Sequence, residues 1–125
     1  MEADDLDADV NLGIGTTGGG NSFPGACVPF GAVKAGPDTT STASATSGWT
    51  PSGNVTAISM LHESGTGGTP KYGVVAQMPL SGSLGNLNLG DNRTYAQPRL
   101  EETLGVDHYS TLLASGVSKI GRASC

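Results

Sequence analysis

Glycine and proline are so frequent in this chain that few of its segments can form a regular helix. The 125 residues include 20 glycines and 7 prolines, against a usual combined share of roughly 12%. Glycine weakens a helix through backbone entropy, and proline removes a backbone donor. Hydrophobic residues make up 36% of the chain and aromatic residues 5%, so the core available to offset chain entropy is small. We therefore expect little helix and marginal stability in isolation.

Four short apolar segments between turn-forming residues have the length of β-strands. They are Val28–Lys34, Val55–Leu61, Tyr72–Met78 and Tyr109–Ala114. No segment shows sustained helical periodicity, so the pattern predicts an all-β sandwich. The stretch from Gly36 to Gly53 is rich in Ser, Thr and Ala, and is predicted to be a surface loop.

The charge distribution argues against nucleic acid and membranes as partners. The formal net charge is −5, and the six basic residues are scattered, whereas both partners favour a basic stripe. No apolar run approaches the ~20 residues that span a bilayer. The acidic first nine residues lack the basic and apolar regions of a signal peptide. The composition fits a neutral partner such as a sugar and leaves the compartment open.

Three glycine-rich motifs carry a resemblance to a known family. They are I-G-T-T-G-G-G-N-S-F-P-G-A-C-V-P-F-G at Ile14–Gly31, G-P-D-T at Gly36–Thr39 and L-H-E-S-G-T-G-G-T-P-K-Y-G-V-V-A-Q-M-P at Leu61–Pro79. In this order they resemble the amino-terminal domain of glycoside hydrolase family 92. Members of that family are calcium-dependent exo-acting α-mannosidases that trim N-glycans, and they are often secreted. The resemblance runs from about Val10 to Ile120.

The resemblance implies a β-sandwich of the galactose-mutarotase type, packed in the family against a larger helical barrel that is missing here. The family sandwich continues past the position of Ile120, whereas this chain ends in G-R-A-S-C. We therefore expect an incomplete sandwich. The chain divides into an acidic leader at residues 1–9, a partial family 92 domain at 10–120 and a divergent tail at 121–125.

The resemblance also implies that the chemistry lies outside this chain. An inverting glycosidase needs two carboxylates roughly 6.5–9.5 Å apart, and no such pair stands in a convincing sequence context. In the family, the catalytic acid and base and most calcium ligands come from the helical barrel. We therefore expect no catalytic residue and no metal ligand here, and an inactive chain when it is alone. Calcium is expected only in the full-length enzyme.

The candidate substrate-binding residues begin with an adjacent histidine and glutamate. Neighbouring side chains on a strand point to opposite faces, so both can reach one sugar only where the strand opens into a loop, which the glycines that follow permit. The interpretation as the rim of a mannose site covers His62, Glu63, Ser64, Gly65, Thr66 and Gly67. Alternatively, His62 holds the loop through hydrogen bonds to the backbone.

Other polar and aromatic residues have two readings each. Trp49, the only tryptophan, can offer a stacking platform for a pyranose ring or be buried against the sandwich. Asn21 and Phe23 are interface or rim candidates, because in the family their loop lies toward the barrel. Asp38 is predicted to cap a turn or loop rather than to act as an acid.

Two further sequence patterns say less about function. The spacing G-x-G-x-x-G from Gly13 to Gly18 resembles a dinucleotide loop, but Gly19, Gly20 and Pro24 prevent the helix that such a site needs. Cys27 is expected to be a buried free thiol, without an assumed disulfide to Cys125.

Together these observations predict a carbohydrate-binding and domain-interface module at the amino terminus of an α-mannosidase that acts on N-glycans of glycoproteins. Its partners would be a mannose-containing glycan and the missing helical barrel. The alternative is a stand-alone carbohydrate-binding or structural β-sandwich fragment without catalytic activity.

Overall fold

The computed structural model describes residues 9–27, 34–40, 47–62, 73–81 and 96–122. These ranges contain no α-helix, and hence no helix able to cross a membrane. Their strands are β1 (Gly36–Thr39), β2 (Val55–Ser59), β3 (Arg99–Leu104), β4 (His108–Leu113) and β5 (Ser118–Arg122). The prediction of an all-β fold is confirmed.

The strands form two small antiparallel sheets. One sheet pairs β1 with β2, and the other has the order β3-β4-β5. An antiparallel bridge between Val55 and Gln97 joins the two, with backbone N–O distances of 2.8 and 2.9 Å. This arrangement is consistent with an incomplete β-sandwich.

Two of the predicted strand segments are confirmed, since β2 lies within Val55–Leu61 and β4 overlaps Tyr109–Ala114. The segment Tyr72–Met78 contributes only isolated bridges to β2 and its continuation. The segment Val28–Lys34 lies outside the described residues except for its last residue.

The prediction that Gly36–Gly53 is a surface loop is wrong at its start. Residues Gly36–Thr39 form β1, and all four are buried. Pro37 is tolerated because proline fits an edge or bulged position of a sheet, and the register shifts between Asp38 and Thr39. Buried side-chain hydrogen bonds of Asp38, described below, stabilise a strand that its composition disfavours.

The hydrophobic core lies where β2 meets β4. Val55, Ile58, Tyr109 and Leu113 are at most 1% exposed and pack together, with Met78 and Leu104 against them. On β4 the buried residues alternate with half-buried ones, as expected for a strand with one face toward the core. This small core makes each of its side chains important for stability.

Tyr109 places a polar group at the edge of the core. Its side chain is fully buried, and its hydroxyl donates to Glu102 Oε1 at 2.9 Å. Burial, together with the negative charge of Glu102, raises the pKa of the Tyr109 phenol well above its usual range. The phenol therefore stays protonated in the folded state at pH values at which it ionises in the unfolded state.

Replacing Tyr109 with phenylalanine is expected to cost about 1.5 kcal/mol at pH 7, because the hydrogen bond to a carboxylate is lost. A raised pKa in the folded state contributes stability that is present below about pH 10 and is lost above it. The variant should therefore lose less stability than the wild type between pH 9 and pH 11. Urea unfolding across that range measures the difference, and parallel losses would contradict it.

Candidate functional site

The described part of the chain contains a buried polar cluster centred on Asp38. Asp38 Oδ1 accepts a hydrogen bond from the backbone N–H of Gly73 at 2.8 Å and shares a hydrogen bond with His62 Nε2 at 3.0 Å. Asp38 Oδ2 accepts a hydrogen bond from the hydroxyl of Ser59. Asp38, Ser59 and His62 are 2%, 0% and 5% exposed. The cluster thus joins β1, the end of β2 and the chain segment that begins at Gly73.

The hydrogen-bond partners of His62 indicate which of its ring nitrogens carry protons. His62 Nδ1 lies 2.9 Å from the backbone carbonyl of Lys34, which only accepts, so Nδ1 carries a proton. Another proton lies between His62 Nε2 and Asp38 Oδ1. The pair is therefore either an imidazolium with a carboxylate or an imidazole with a carboxylic acid, and it is net neutral in both forms. Neutrality lowers the cost of burying two ionisable groups.

Phe23 and Gly73 pack closely against the pair. The Phe23 ring stacks on His62 with centroids 3.5 Å apart and planes inclined by 10°. A Cβ atom at Gly73 would lie 2.2 Å from the Ser59 Cβ and 2.6 Å from His62 Nε2. Only glycine allows the backbone to come this close to the cluster.

Asp38, Ser59 and His62 are not arranged as a Ser–His–Asp triad. Ser59 bonds Asp38 rather than His62, and both ring nitrogens of His62 are engaged. In a Ser–His–Asp triad the histidine takes the proton of the serine, and these three residues do not make that contact. The cluster instead fixes the backbone on either side of residues 63–72.

Trp49 is also buried, at 3% exposure. The Arg99 guanidinium lies 5.5 Å from the centre of its ring, which permits a cation–π contact. Its indole Nε1 is buried without a hydrogen-bond partner among the described residues. The burial of Trp49 matches the second of its two readings, and a contact of its ring with a sugar stays a prediction.

The predicted site residues are distributed as follows. His62 lies in the cluster, and the Phe23 ring stacks on it. Asn21, two residues before Phe23 in the sequence, is half-buried. Asp38 binds a loop backbone N–H, as a cap does, but from within a strand. The predicted residues outside the described ranges are Glu63, Ser64, Gly65, Thr66 and Gly67.

Sequence reasoning missed Ser59 and Gly73 as members of the cluster. Ser59 closes a run of strand-forming residues, and Gly73 is one glycine among many, so neither position stands out. The contact between Asp38 and His62 joins residues 24 positions apart. Only the pairing of β1 with β2 brings them together.

The calcium that the family resemblance implies has no matching set of ligands in the described ranges. No group of three or more His, Cys, Asp or Glu side chains there could hold a metal ion. Both oxygens of Asp38 already accept protein hydrogen bonds. Cys27 is half-buried and unpaired within the described ranges, while Cys125 lies outside them.

Comparison with known proteins decides the family. The sequence model of the glycosyl hydrolase family 92 N-terminal domain matches residues 9–119. The chain belongs to glycosyl hydrolase family 92. This family 92 chain is also similar to an uncharacterized secreted glycosidase from Arthroderma benhamiae, with 41% identity over 66 residues. Those residues are 53% of this chain and 9% of that protein. No solved structure matches the family 92 chain significantly.

Proposed function

We propose that this chain is the carbohydrate-contacting and interface module of an α-mannosidase that acts on N-glycans of glycoproteins. The observation that carries the proposal is the family 92 match across residues 9–119. A relative that is described as a secreted glycosidase supports a glycan as the substrate. In this proposal, hydrolysis takes place in a catalytic domain elsewhere in the enzyme, where calcium supplies Lewis-acid chemistry.

Within the module, the proposed contacts to mannose come from a short segment. Its members are Glu63, Ser64, Gly65, Thr66 and Gly67. A carboxylate, hydroxyls and backbone amides suit the hydroxyl groups of a neutral sugar. Asn21 is proposed to lie at the domain interface.

The buried residues are proposed to hold the chain at the point where this segment begins. His62 directly precedes Glu63, and both of its ring nitrogens are bound within the protein. Phe23 stacks on His62, and Trp49 is covered by Arg99. We therefore assign a positioning role to His62, Phe23 and Trp49. Side chains that are held by buried hydrogen bonds and packing keep neighbouring contacts within a narrow range of geometry.

The test separates contact from positioning. In a fusion of this chain to the catalytic domain of a family 92 enzyme, Glu63→Ala is expected to lower kcat/KM by the equivalent of about 1.5–3 kcal/mol, because a hydrogen bond to a charged group is lost. Its melting temperature should stay unchanged. The chain alone should release no mannose from α-linked mannosides, with or without calcium.

His62→Ala provides the contrast, because it removes a buried partner of Asp38 and should lower the melting temperature. An unchanged kcat/KM for a well-folded Glu63→Ala fusion would contradict the proposed contact. Mannose release by the repurified chain alone would contradict the assignment of catalysis to another domain. If the chain alone bound mannosides while the kcat/KM of the fusion did not depend on Glu63, a stand-alone carbohydrate-binding module would be the better description.

A further inference from the structure

Four large apolar side chains lie exposed at the end of β2 and on the segment that pairs with its continuation. Met60 and Leu61 are 40% and 45% exposed, and Val74 and Val75 are 59% and 63% exposed. Leu61 and Val74 are antiparallel bridge partners. The backbone N–H of Met60 lies 3.1 Å from the Val74 carbonyl, and that of Val74 lies 3.0 Å from the Leu61 carbonyl. We call these four residues the apolar patch.

The backbone of the apolar patch is strained at Val75. Its φ is 59°, in the left-handed region, and Val75 is the single non-glycine residue with a positive φ in the described ranges. A β-branched side chain is a clear outlier in this region. Val75 is also largely exposed, so burial in this chain does not compensate for the strain. Strained residues of this kind concentrate at binding and switch sites, where a partner completes the surroundings.

We propose that the apolar patch is the surface on which the catalytic domain of the same enzyme docks. This inference rests on the proposed function. The family match is to an N-terminal domain, and the aligned region is only 9% of the secreted relative. Most of such an enzyme therefore lies outside this module. The patch carries no charge and includes a methionine, as the centre of a permanent interface does.

The position of the apolar patch favours the catalytic domain over a second copy of this chain. Leu61 directly precedes His62, and Val74 directly follows Gly73, so the patch stands on both sides of the Asp38 cluster. The buried cluster holds these two ends together. A catalytic domain seated on the patch would contact the chain directly before His62 and Glu63, close in sequence to the residues that we propose to contact mannose. A second copy of this module would not require that proximity.

The test uses the Arthroderma benhamiae glycosidase from which the region similar to this chain has been removed. This shortened glycosidase is mixed with the full chain as a separate protein, and in a second experiment it is fused to the chain. If one of the two preparations fails, the other still gives a result. Sedimentation measures binding between the separate proteins, and calorimetry records whether the fusion unfolds in one transition. Hydrogen exchange at Met60 and Val74 reports on the patch itself.

The wild-type chain should bind or unfold together with the catalytic part. Leu61→Lys and Val75→Lys should each weaken that coupling by about tenfold or more, because docking would bury an unpaired charge. The matched control is Leu100→Lys, since Leu100 is 61% exposed and lies on β3, away from the patch. The control should couple as the wild type does.

Four results would overturn the docking surface. The first is coupling in neither preparation, and the second is an equal loss in the Leu100→Lys control. The third is a free chain that dimerises through the patch, so that Leu61→Lys yields a monomer. A kcat/KM that still depends on Glu63, beside unchanged coupling in the patch variants, would overturn the docking surface and leave the proposed function standing.

Discussion

Asp38→Ala is expected to destabilise the module by about 3–5 kcal/mol, the usual cost of breaking a buried pair of ionisable groups by removing one partner. The change leaves the Ser59 hydroxyl, His62 Nε2 and the Gly73 N–H without their buried acceptor. Typical domains have only about 5–15 kcal/mol of stability, so the variant should lose a large share of its stability and melt at a much lower temperature than the wild type. Circular dichroism during urea and thermal unfolding measures the loss.

The matched control is an acid–histidine pair at the surface. Asp107 Oδ1 lies 2.6 Å from His108 Nδ1, and both side chains are more than a third exposed. Such pairs contribute about 0–1 kcal/mol, so Asp107→Ala should unfold close to the wild type. If Asp38→Ala cost no more than Asp107→Ala, the cluster would not hold the fold together.

The second large effect is expected for Ile58→Ala. Ile58 is 1% exposed and packs in the core with Val55, Tyr109 and Leu113. Replacing a buried isoleucine with alanine costs about 2–5 kcal/mol, because burial is lost and a cavity remains. Chemical unfolding with a tryptophan or far-ultraviolet signal gives the free energy.

Leu100→Ala is the control for Ile58→Ala, because the side chain of Leu100 is 61% exposed. It should change the free energy of unfolding by less than about 0.5 kcal/mol. Equal effects at the two positions would mean that the contact between β2 and β4 is not the core of the module.

The strands that sequence reasoning predicted are those whose residues face the core. In β2 and β4, β-branched or aromatic residues pack against each other, so burial and local preference agree. β3 has the sequence R-L-E-E-T-L, and the middle four of its six residues are exposed. A polar edge strand takes its structure from pairing with its neighbour, so its own sequence carries little signal.

The buried cluster was less predictable than the strands. His62 was singled out because a histidine precedes a glutamate and glycines, and holding backbone by hydrogen bonds was one of its two readings. Its bond to the Lys34 carbonyl agrees with that reading. The role of Asp38 could not be read from G-P-D-T, because its partners Ser59 and His62 arrive through the antiparallel pairing of β1 with β2.

The contacts of Arg99 bear on how the two sheets of the module separate. One side-chain nitrogen donates to the Thr50 and Pro51 carbonyls ahead of β2, and the other lies 2.6 Å from Glu102 Oε1 on β3. Its guanidinium also covers Trp49. A fluctuation that separates the two sheets must break the contacts of Arg99 with Trp49, Thr50 and Pro51 together with the Val55–Gln97 bridge. The sheets should therefore open as one cooperative unit rather than fray independently, even though few strands belong to each.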